Sequence, residues 1–204
     1  PVSILIALIL AYLLNEKVYL KTPLRLCFFI PYISSAVALA AVFKVLFREN
    51  GPINMFCQHV LQMETPPAWF ADSSLNKIPI IIFLIWTAIG YELVIYMAAM
   101  QNISPSLYEA AEIDGASGFV KFTRITFPLI SPTTFYLVIV RLIATFKVFT
   151  AVNIMTFGTP ARANTTIVTR VYEEAFNNYK FGYASAEAWV LVAIILIITL
   201  INFW

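Results

Sequence analysis

Four long apolar segments constrain this chain more than any other feature of its sequence. A helix needs about 20 mostly apolar residues to cross about 30 Å of hydrocarbon, and residues 24–47, 78–100, 129–155 and 183–204 meet that length. The opening run, residues 1–14, is apolar but too short to cross alone. We therefore predict an all-α integral membrane protein, a polytopic helix bundle that forms one membrane domain over residues 1–204.

The composition argues against a soluble fold. Hydrophobic residues make up 61% of the chain and charged residues 12%, whereas soluble domains have about 45–50% apolar and about 25% charged residues. The formal net charge of +2 is small and scattered, so no nucleic-acid partner is expected. The first residue is not methionine and both ends lie in apolar runs, so we expect a chain truncated at both ends.

The sequence predicts no catalytic residues, metal ligands or cofactor. Cys27 and Cys57 form no CxxC pair and His59 is the single histidine, so a metal site of the usual spacing cannot be assembled. None of the six glycines is followed by lysine, and the chain therefore has no Walker A loop. Energy for any active transport therefore has to come from a source other than nucleotide hydrolysis by this chain.

Polar connections of different lengths join the apolar segments. Residues 15–23 form a short connection, whereas residues 48–77 and 154–182 form long ones, the last with a turn predicted at Gly158-Thr159-Pro160. Residues 101–128 are amphipathic. Lysine and arginine occur in similar numbers on alternate connections, so the positive-inside rule does not orient the chain.

The connection at residues 101–128 predicts two short helices. Ser106 and Glu109 have the spacing of a capping box, in which each side chain accepts a hydrogen bond from a backbone amide of the first turn. The first helix should therefore begin at Ser106, and Gly115 can end it in the left-handed conformation. One face of this helix is shallow and is made of residues three and four apart, namely Leu107, Ala110, Ala111 and Asp114.

A second helix should follow, with an apolar stripe that Pro128 ends. The stripe consists of Phe119, Phe122 and Ile125. Lys121 and Arg124 are left to face water or lipid headgroups. A short helix with a small-residue face, lying parallel to the membrane, is suited to docking into a cleft on a partner protein.

These residues carry a resemblance to a known family. The pattern Glu109-Ala110-Ala111, Gly115 after three residues, Ile125 after nine more, and then Phe127-Pro128 resembles the EAA motif of bacterial ABC importer permeases. The family usually ends the motif with Leu-Pro, so Phe127 is a conservative departure. The rest of the chain is similar to the carbohydrate-uptake branch, and in particular to its maltose-type first permease. The similar segments are Ile30-Pro31-Tyr32-Ile33-Ser34-Ser35, Gly51-Pro52-Ile53-Asn54, Pro67-Ala68-Trp69-Phe70, Met155-Thr156-Phe157-Gly158-Thr159-Pro160 and Gly182-Tyr183-Ala184-Ser185-Ala186.

The resemblance implies a truncated six-helix-type permease and a function. Such a chain would be a permease subunit of an ATP-driven importer in the bacterial inner membrane, for an oligosaccharide, a polyol, a glycerol phosphate or another sugar-like solute. Its partners would be a second permease subunit, a cytoplasmic ATPase dimer that binds the ATP, and an extracytoplasmic solute-binding protein. Residues 48–77 and 154–182 would face the binding protein. Residues 101–128 would be cytoplasmic and would couple to the ATPase through Glu109, Ala110, Ala111, Asp114 and Gly115.

Ionisable residues inside the apolar segments are further candidates, because a charge in hydrocarbon costs about 2.5 kcal/mol or more and usually faces a cavity or a partner. Glu92, Arg141 and Lys147 are such residues. One interpretation is a substrate pathway that offers hydrogen bonds and ring faces, lined by Trp86, Gly90, Glu92, Tyr96, Arg141 and Thr145. The alternative is structural, with Glu92 paired to Arg141 or Lys147 so that two helices are held together.

Other polar residues and prolines near helix ends have simpler interpretations. Lys44 is close enough to a helix end to snorkel to water. Glu173 and Glu174 are expected on a solvated face of their connection, with contact to a binding protein as the alternative. Pro31 and Pro132 should kink or start helices.

Two other classes of protein remain as alternatives. An ion-coupled secondary transporter would use Glu92 and Arg141, would need no ATPase and would show internal repeats, and no convincing repeat is present. A membrane-embedded enzyme acting on lipid would need a metal or nucleophile cluster at the membrane surface. A single histidine and the absence of clustered intramembrane carboxylates argue against it. The non-catalytic permease subunit is therefore favoured.

Overall fold

The computed structural model describes residues 1–15, 21–157 and 162–203, and every regular element in these ranges is a helix. The turn predicted at Gly158-Thr159-Pro160 and the terminal Trp204 lie outside the described residues. In chain order the elements are α1 (Val2–Asn15), α2 (Lys21–Ile33), α3 (Ala36–Leu46), α4 (Pro52–His59), α5 (Lys77–Gln101), α6 (Pro105–Ile113), α7 (Gly118–Lys121), the π-helical segment π1 (Phe122–Thr126), α8 (Phe127–Phe146), α9 (Thr150–Met155), α10 (Ile167–Tyr172), the π-helical segment π2 (Glu173–Asn177) and α11 (Phe181–Phe203).

Three helical stretches of the described chain are long and apolar enough to cross a membrane. They are Lys77–Gln101, Gly118–Met155 and Phe181–Phe203, with mean hydropathies of 2.2, 1.9 and 2.4. Helices α2 and α3 qualify as a fourth crossing only if they are counted together as one bent pair, and α1 is a shorter apolar helix. The helical, strand-free architecture and its apolar segments agree with the predicted fold class.

The single helix predicted over residues 24–47 is instead two helices separated by Ser34 and Ser35. Pro31 lies in the last turn of α2, where it removes one amide donor and crowds the preceding carbonyl. Ser35 then starts α3 as its N-cap, because its hydroxyl accepts a hydrogen bond from the Ala38 amide at 3.4 Å. A serine pair beside a proline therefore outweighs the apolar pattern that predicted one continuous helix.

The prediction that Pro128 ends a helix is wrong. In the structure α7, π1 and α8 follow one another without a break, and Pro128 lies in the first turn of α8. The Phe127 amide donates to the carbonyl of Phe122, five residues earlier. This wider turn makes room for the proline ring, which would collide with a carbonyl in a regular α-helix. The helix predicted over 129–155 is interrupted later, between Phe146 and Thr150.

The described residues pack as two compact units, and the first comprises residues 1–33 and 86–141. Its core is built where α1 meets α5 and α8. Ala7 and Ala11 of α1 have no exposed surface, and small residues of this kind let helix backbones approach closely. The other buried core residues are Ile4, Leu8, Leu14, Leu93, Tyr96, Met97, Met100, Ile130 and Leu137.

The second unit comprises residues 34–85 and 142–204. Its core lies between α3, α9 and the first half of α5, and consists of Ala40, Ile80, Phe83, Ala151, Val152 and Met155. Lys44 is exposed to solvent, in line with the predicted snorkelling, and its Nζ also donates to the carbonyl oxygen of Ile154 at 3.0 Å. That carbonyl lies near the end of α9, where carbonyls lack helical partners and a cation is favourable.

Candidate functional site

Glu92 is the centre of the polar cluster inside the first unit. It lies on α5 with 1% of its surface exposed. Its Oε1 accepts hydrogen bonds from Arg141 Nε of α8 at 2.8 Å and from the Ser3 hydroxyl of α1 at 3.1 Å. One carboxylate oxygen therefore joins three helices. The second oxygen, Oε2, is buried with no hydrogen-bond partner among the described residues.

Arg141 is the cation that compensates the negative charge of this buried carboxylate. Its side chain is 24% exposed, against 2% for that of Glu92. A buried charge costs several kcal/mol unless an opposite charge and hydrogen bonds compensate it. The sequence left Arg141 and Lys147 as possible partners of Glu92, and the structure pairs Arg141. Lys147 lies in the break after α8 and is exposed.

Two of the other predicted pathway residues are enclosed by packing. Tyr96 has no exposed surface and its hydroxyl donates to Thr134 Oγ1 at 3.1 Å. Gly90 is where α5 crosses α2, since a Cβ on Gly90 would overlap the carbonyl oxygen of Phe28 and lie 2.9 Å from Phe29 Cα. Only glycine permits this approach of the two backbones. Packing between helices is sufficient to explain why a tyrosine stands at position 96 and a glycine at position 90.

The last two predicted pathway residues lie on accessible surfaces. Trp86 is exposed on α5, in the first unit. Thr145 is exposed at the end of α8 and lines a cavity of about 290 Å³ within the second unit, together with Lys77, Leu84 and Thr166. The structure therefore brings Glu92 and Arg141 into contact. Trp86 and Thr145 belong to different units.

Sequence analysis missed a cluster of tyrosines in the first unit. The rings of Tyr32 and Tyr91 stack with centroids 5.0 Å apart, and the Tyr91 and Tyr136 hydroxyls lie 3.1 Å from each other. Tyr32 and Tyr136 are each 49% exposed. Exposed ring faces combined with hydroxyl groups are suited to a polyhydroxy ligand. These residues come from α2, α5 and α8, so no local spacing could have indicated that they meet.

The amphipathic connection begins with α6, but not at the predicted residue. The helix starts at Pro105 with Ser104 as its N-cap, so the capping box predicted at Ser106 is wrong. Proline suits the first position of a helix, because its φ is preset and its missing amide would have no partner there. The Ser104 and Ser106 hydroxyls instead lie 2.8 Å from each other.

The end of α6 confirms the left-handed conformation predicted for Gly115, whose φ is 72°. The Gly115 amide donates to the Glu112 carbonyl at 3.0 Å, and the Ala116 amide donates to the Ala111 carbonyl at 2.8 Å. This pair of bonds is a Schellman motif, which satisfies the last carbonyls of a helix. No atom lies within 4 Å of the position of a Cβ on Gly115, so the requirement for glycine here is conformational.

The predicted coupling residues lie on an open surface. Glu109, Ala110, Asp114 and Gly115 are exposed and Ala111 is half-buried. The sequence missed Ile113, the most exposed large apolar residue of the described chain at 87%. An apolar side chain held in water is typical of a surface that a partner covers.

The inner side of the same connection is fastened to the first unit. Lys121 Nζ pairs with Glu112 Oε1 at 2.9 Å, which links α7 to α6. The Tyr12 hydroxyl of α1 donates to the Gly118 carbonyl at 3.2 Å, and the rings of Tyr12 and Phe122 are in edge contact at 4.8 Å. Of the predicted apolar stripe, Phe122 and Ile125 are partly buried, whereas Phe119 is 76% exposed. Phe119 therefore extends the open surface.

The polar groups of these sites offer hydrogen bonds, ring faces and one compensated ion pair. Within the described ranges no three His, Cys, Asp or Glu side chains lie close enough together to hold a metal ion. The chemistry available is that of solute recognition and protein docking.

Comparison with known proteins places these features in a family. The family model described as "Binding-protein-dependent transport system inner membrane component" matches residues 3–204. The lactose transport system permease protein LacF of Rhizobium radiobacter is 33% identical over 208 residues, which cover 100% of this chain and 70% of LacF. The sn-glycerol-3-phosphate transport system permease protein UgpA of Rhizobium meliloti (strain 1021) is 36% identical over 203 residues, covering 97% of this chain and 67% of UgpA.

A solved structure shows the same fold. The crystal structure of a bacterial alginate ABC transporter in complex with alginate pentasaccharide-bound periplasmic protein contains a chain that matches with a TM-score of 0.84 and 25% sequence identity. The match covers 96% of this chain and 69% of that one. The chain thus spans about two thirds of the length of the relatives it matches.

Proposed function

The chain belongs to the family of binding-protein-dependent transport system inner membrane components, and we propose that it forms one side of a solute pathway between two permease subunits. It is a multi-pass protein of the bacterial inner membrane and a permease subunit of an ABC importer for sugars or related solutes. The observation that carries this function is the family match over residues 3–204. Membership also favours it over an ion-coupled secondary transporter.

The proposed partners are a second permease subunit, a cytoplasmic ATPase dimer and an extracytoplasmic solute-binding protein. The chain has no lysine after any glycine, which supports the proposal that the ATPase binds and hydrolyses the ATP and that this subunit is non-catalytic. Residues 101–128 lie on the cytoplasmic side in this arrangement. Since α5 crosses the membrane between them, residues 48–77 lie on the outer side together with residues 154–182.

The coupling step is assigned to the surface around α6. Glu109, Ala110, Ala111, Asp114 and Gly115 dock against the ATPase, and Ile113 and Phe119 are covered when it binds. The support for this assignment is the contrast between the exposed residues of α6 and the contacts of Tyr12, which fasten α7 and π1 to α1. The Lys121–Glu112 ion pair in turn links α6 to α7. Movement of the docked ATPase is therefore passed from α6 and α7 to the membrane helices through these contacts.

For the solute itself we propose an uncharged polyhydroxy compound. Arg141 would favour an anion if it stood alone, but Glu92 neutralises it at 2.8 Å. Within the first unit, hydroxyl groups of the solute are bound by Trp86, Arg141 and the tyrosine cluster of Tyr32, Tyr91 and Tyr136. Thr145 offers a separate contact in the cavity of the second unit. Gly90 and Tyr96, also predicted to line the pathway, support it by holding α5 against α2 and α8. Glu92 acts as the counter-charge.

The test of the proposed function is reconstitution. Proteoliposomes containing this subunit alone should show no uptake of a radiolabelled disaccharide under a proton or sodium gradient. Vesicles containing both permease subunits, the ATPase dimer and the binding protein should show uptake that depends on ATP. Ion-driven uptake by the subunit alone would overturn the proposal in favour of a secondary transporter.

A further inference from the structure

The segment around α4 has an unusual composition for a connection outside the membrane. Residues 50–63 contain no Asp, Glu, Lys or Arg. Their polar side chains are neutral amides and the single histidine, His59. His59 Nδ1 lies 2.9 Å from the Met55 carbonyl oxygen, so its ring is used within the helix. A surface that remains in water usually carries charge, and this segment has none.

One side of α4 is firmly built into the second unit. Asn54 is buried, and its side-chain amide donates to the Glu49 and Pro67 carbonyls at 3.1 and 3.0 Å. Its Oδ1 accepts a hydrogen bond from Trp69 Nε1 at 2.6 Å. Cys57 is buried on the same side, one turn further on. The orientation of α4 about its own axis is therefore fixed by buried contacts, and its outward side is determined.

The outward side of α4 and the turn after it is apolar. Five large apolar residues in this segment are between 43% and 60% exposed: Met55, Phe56, Val60, Leu61 and Met63. The chain turns back after α4 through Gln62, whose φ is 51°. Because of this turn the Met63 amide donates to the Cys57 carbonyl at 3.1 Å, and the residues after the helix stay beside it. Such a concentration of exposed apolar side chains indicates a surface that is covered in the native state.

The neighbouring surface identifies what covers it. Segment 50–63 follows α3 directly, and the exposed residues of α3 include Val37, Val42 and Val45. Together with α2, α3 qualifies as a bent membrane crossing, so α4 lies next to the end of a candidate membrane crossing and its apolar surface is placed near the bilayer. Trp69, which holds Asn54, is an aromatic of the kind enriched at the membrane–water interface.

We propose that α4 and the turn after it, residues 52–63, lie in the headgroup region of the bilayer with Met55, Phe56, Val60 and Leu61 in contact with lipid. Amphipathic helices bind in this way when one face is apolar and buried at the boundary between headgroups and acyl chains. Since the segment has no cation, the contact does not require anionic lipid. It fixes the depth of residues 48–77 at the membrane surface, independently of the solute.

The experiment measures lipid contact in the assembled importer. Cys27→Ser and Cys57→Ala remove the native thiols, and single cysteines at Met55 and Phe56 receive a nitroxide label in complexes held in phosphatidylcholine nanodiscs. Collision with oxygen, which concentrates in lipid, is compared with collision with a water-soluble nickel chelate. Val42, which is exposed on the candidate membrane crossing formed by α2 and α3, serves as the reference within the membrane. Ser73, which is exposed in the same connection as α4, serves as the aqueous reference.

We expect the ratio of oxygen to nickel collisions at Met55 and Phe56 to lie nearer the value at Val42 than that at Ser73, with or without the binding protein. The ratio should not change when phosphatidylglycerol replaces part of the phosphatidylcholine. Ratios equal to that at Ser73 would overturn the proposal, and a loss of nickel collisions on adding the binding protein would identify that protein as the occupant. Loss of both kinds of collision would also overturn it, since another protein subunit would then cover the helix. ATP-dependent uptake by the unlabelled double variant shows separately that the importer is intact.

Discussion

At the scale of single residues, the costliest feature is the burial of the Glu92 carboxylate, which has 1% of its surface exposed inside an apolar bundle. Residue type alone was enough to single out Glu92 and Arg141, because ionisable groups in hydrocarbon need compensation. Their pairing could be stated only as an alternative, since it depends on how α5 and α8 face each other. Ser3 was not predicted at all, because a serine in an apolar helix resembles any other small residue until its partner is known.

Breaking the buried pair should cost far more than breaking a surface pair. Arg141→Met leaves the buried Glu92 carboxyl group without its counter-charge, and we expect a loss of about 3 kcal/mol, the lower end for buried pairs because the arginine is partly exposed. This should appear as a clearly lower thermal unfolding midpoint of the purified complex. Adding Glu92→Gln to Arg141→Met should recover most of the loss, because the uncompensated charge is removed.

The matched control for that cycle is the exposed ion pair of Lys121 and Glu112, in which the glutamate side chain is 65% exposed. Lys121→Met should cost at most about 1 kcal/mol, since water screens an exposed pair. Equal losses for Arg141→Met and Lys121→Met, or no recovery in the double variant, would show that the Glu92–Arg141 pair does not hold the helices together.

At the scale of elements, the sequence predicted some helix ends correctly and misplaced others. Gly115 was predicted correctly because a left-handed residue has few alternatives to glycine. The start of α6 was misplaced because Ser104 and Ser106 are both good N-caps, and Pro105 decides between them. The prediction that Pro128 ends a helix was wrong because a π-helical turn accommodates the proline inside a continuous helix. No residue pattern indicates such a turn.

The conformation of Gly115 yields a prediction about coupling. Gly115→Val places a β-branched residue at a φ of 72°, at a strain of roughly 1–2 kcal/mol. The end of α6 should shift, and the complex should retain less ATPase and show weaker stimulation of hydrolysis by the binding protein. Gly115→Asn is the control, because asparagine tolerates the left-handed region and should retain most of both.

Charge reversal tests the same surface without strain. Glu109 is exposed on α6, so Glu109→Lys should leave the membrane helices folded and weaken ATPase retention. The measurement is the amount of ATPase that copurifies, followed by its stimulated activity in proteoliposomes. Normal retention and normal stimulation in both Gly115→Val and Glu109→Lys would refute the coupling role of α6.

At the scale of the whole molecule, the class of protein was the most predictable property. A chain with 61% hydrophobic residues can place its long apolar segments only in a membrane or in a large core, and the motif of Glu109 to Pro128 then identified the family. Substrate charge was not predictable, because it depends on whether Arg141 is neutralised. The 2.8 Å distance between Arg141 and Glu92 supports the proposal of an uncharged solute.

The compensated arginine leads to a prediction about transport selectivity. With one binding protein kept constant, the importer should transport a neutral disaccharide in preference to its aldonate, which adds one carboxylate. Glu92→Gln leaves the positive charge of Arg141 uncompensated in the solute pathway. The ratio of neutral disaccharide to aldonate transported should then fall by about tenfold if that charge contributes about 1.4 kcal/mol to aldonate binding. Glu112→Gln, far from the pair in sequence and on the exposed α6, should leave the preference unchanged. An unaltered preference in Glu92→Gln would place the pair outside the solute pathway.

The π-helical segment between α7 and α8 has a mechanical consequence. Helix α7, π1 and α8 follow one another without a break from Gly118 to Phe146. The π1 segment contributes a turn that holds more residues than an α-helical turn does. If that turn tightened to regular α-helix, everything beyond it would rotate by about 100° and advance by about 1.5 Å, the helical step of one residue. Arg141 lies beyond it on α8. A change of π1 into regular α-helix would therefore rotate Arg141 by a fixed angle relative to α7.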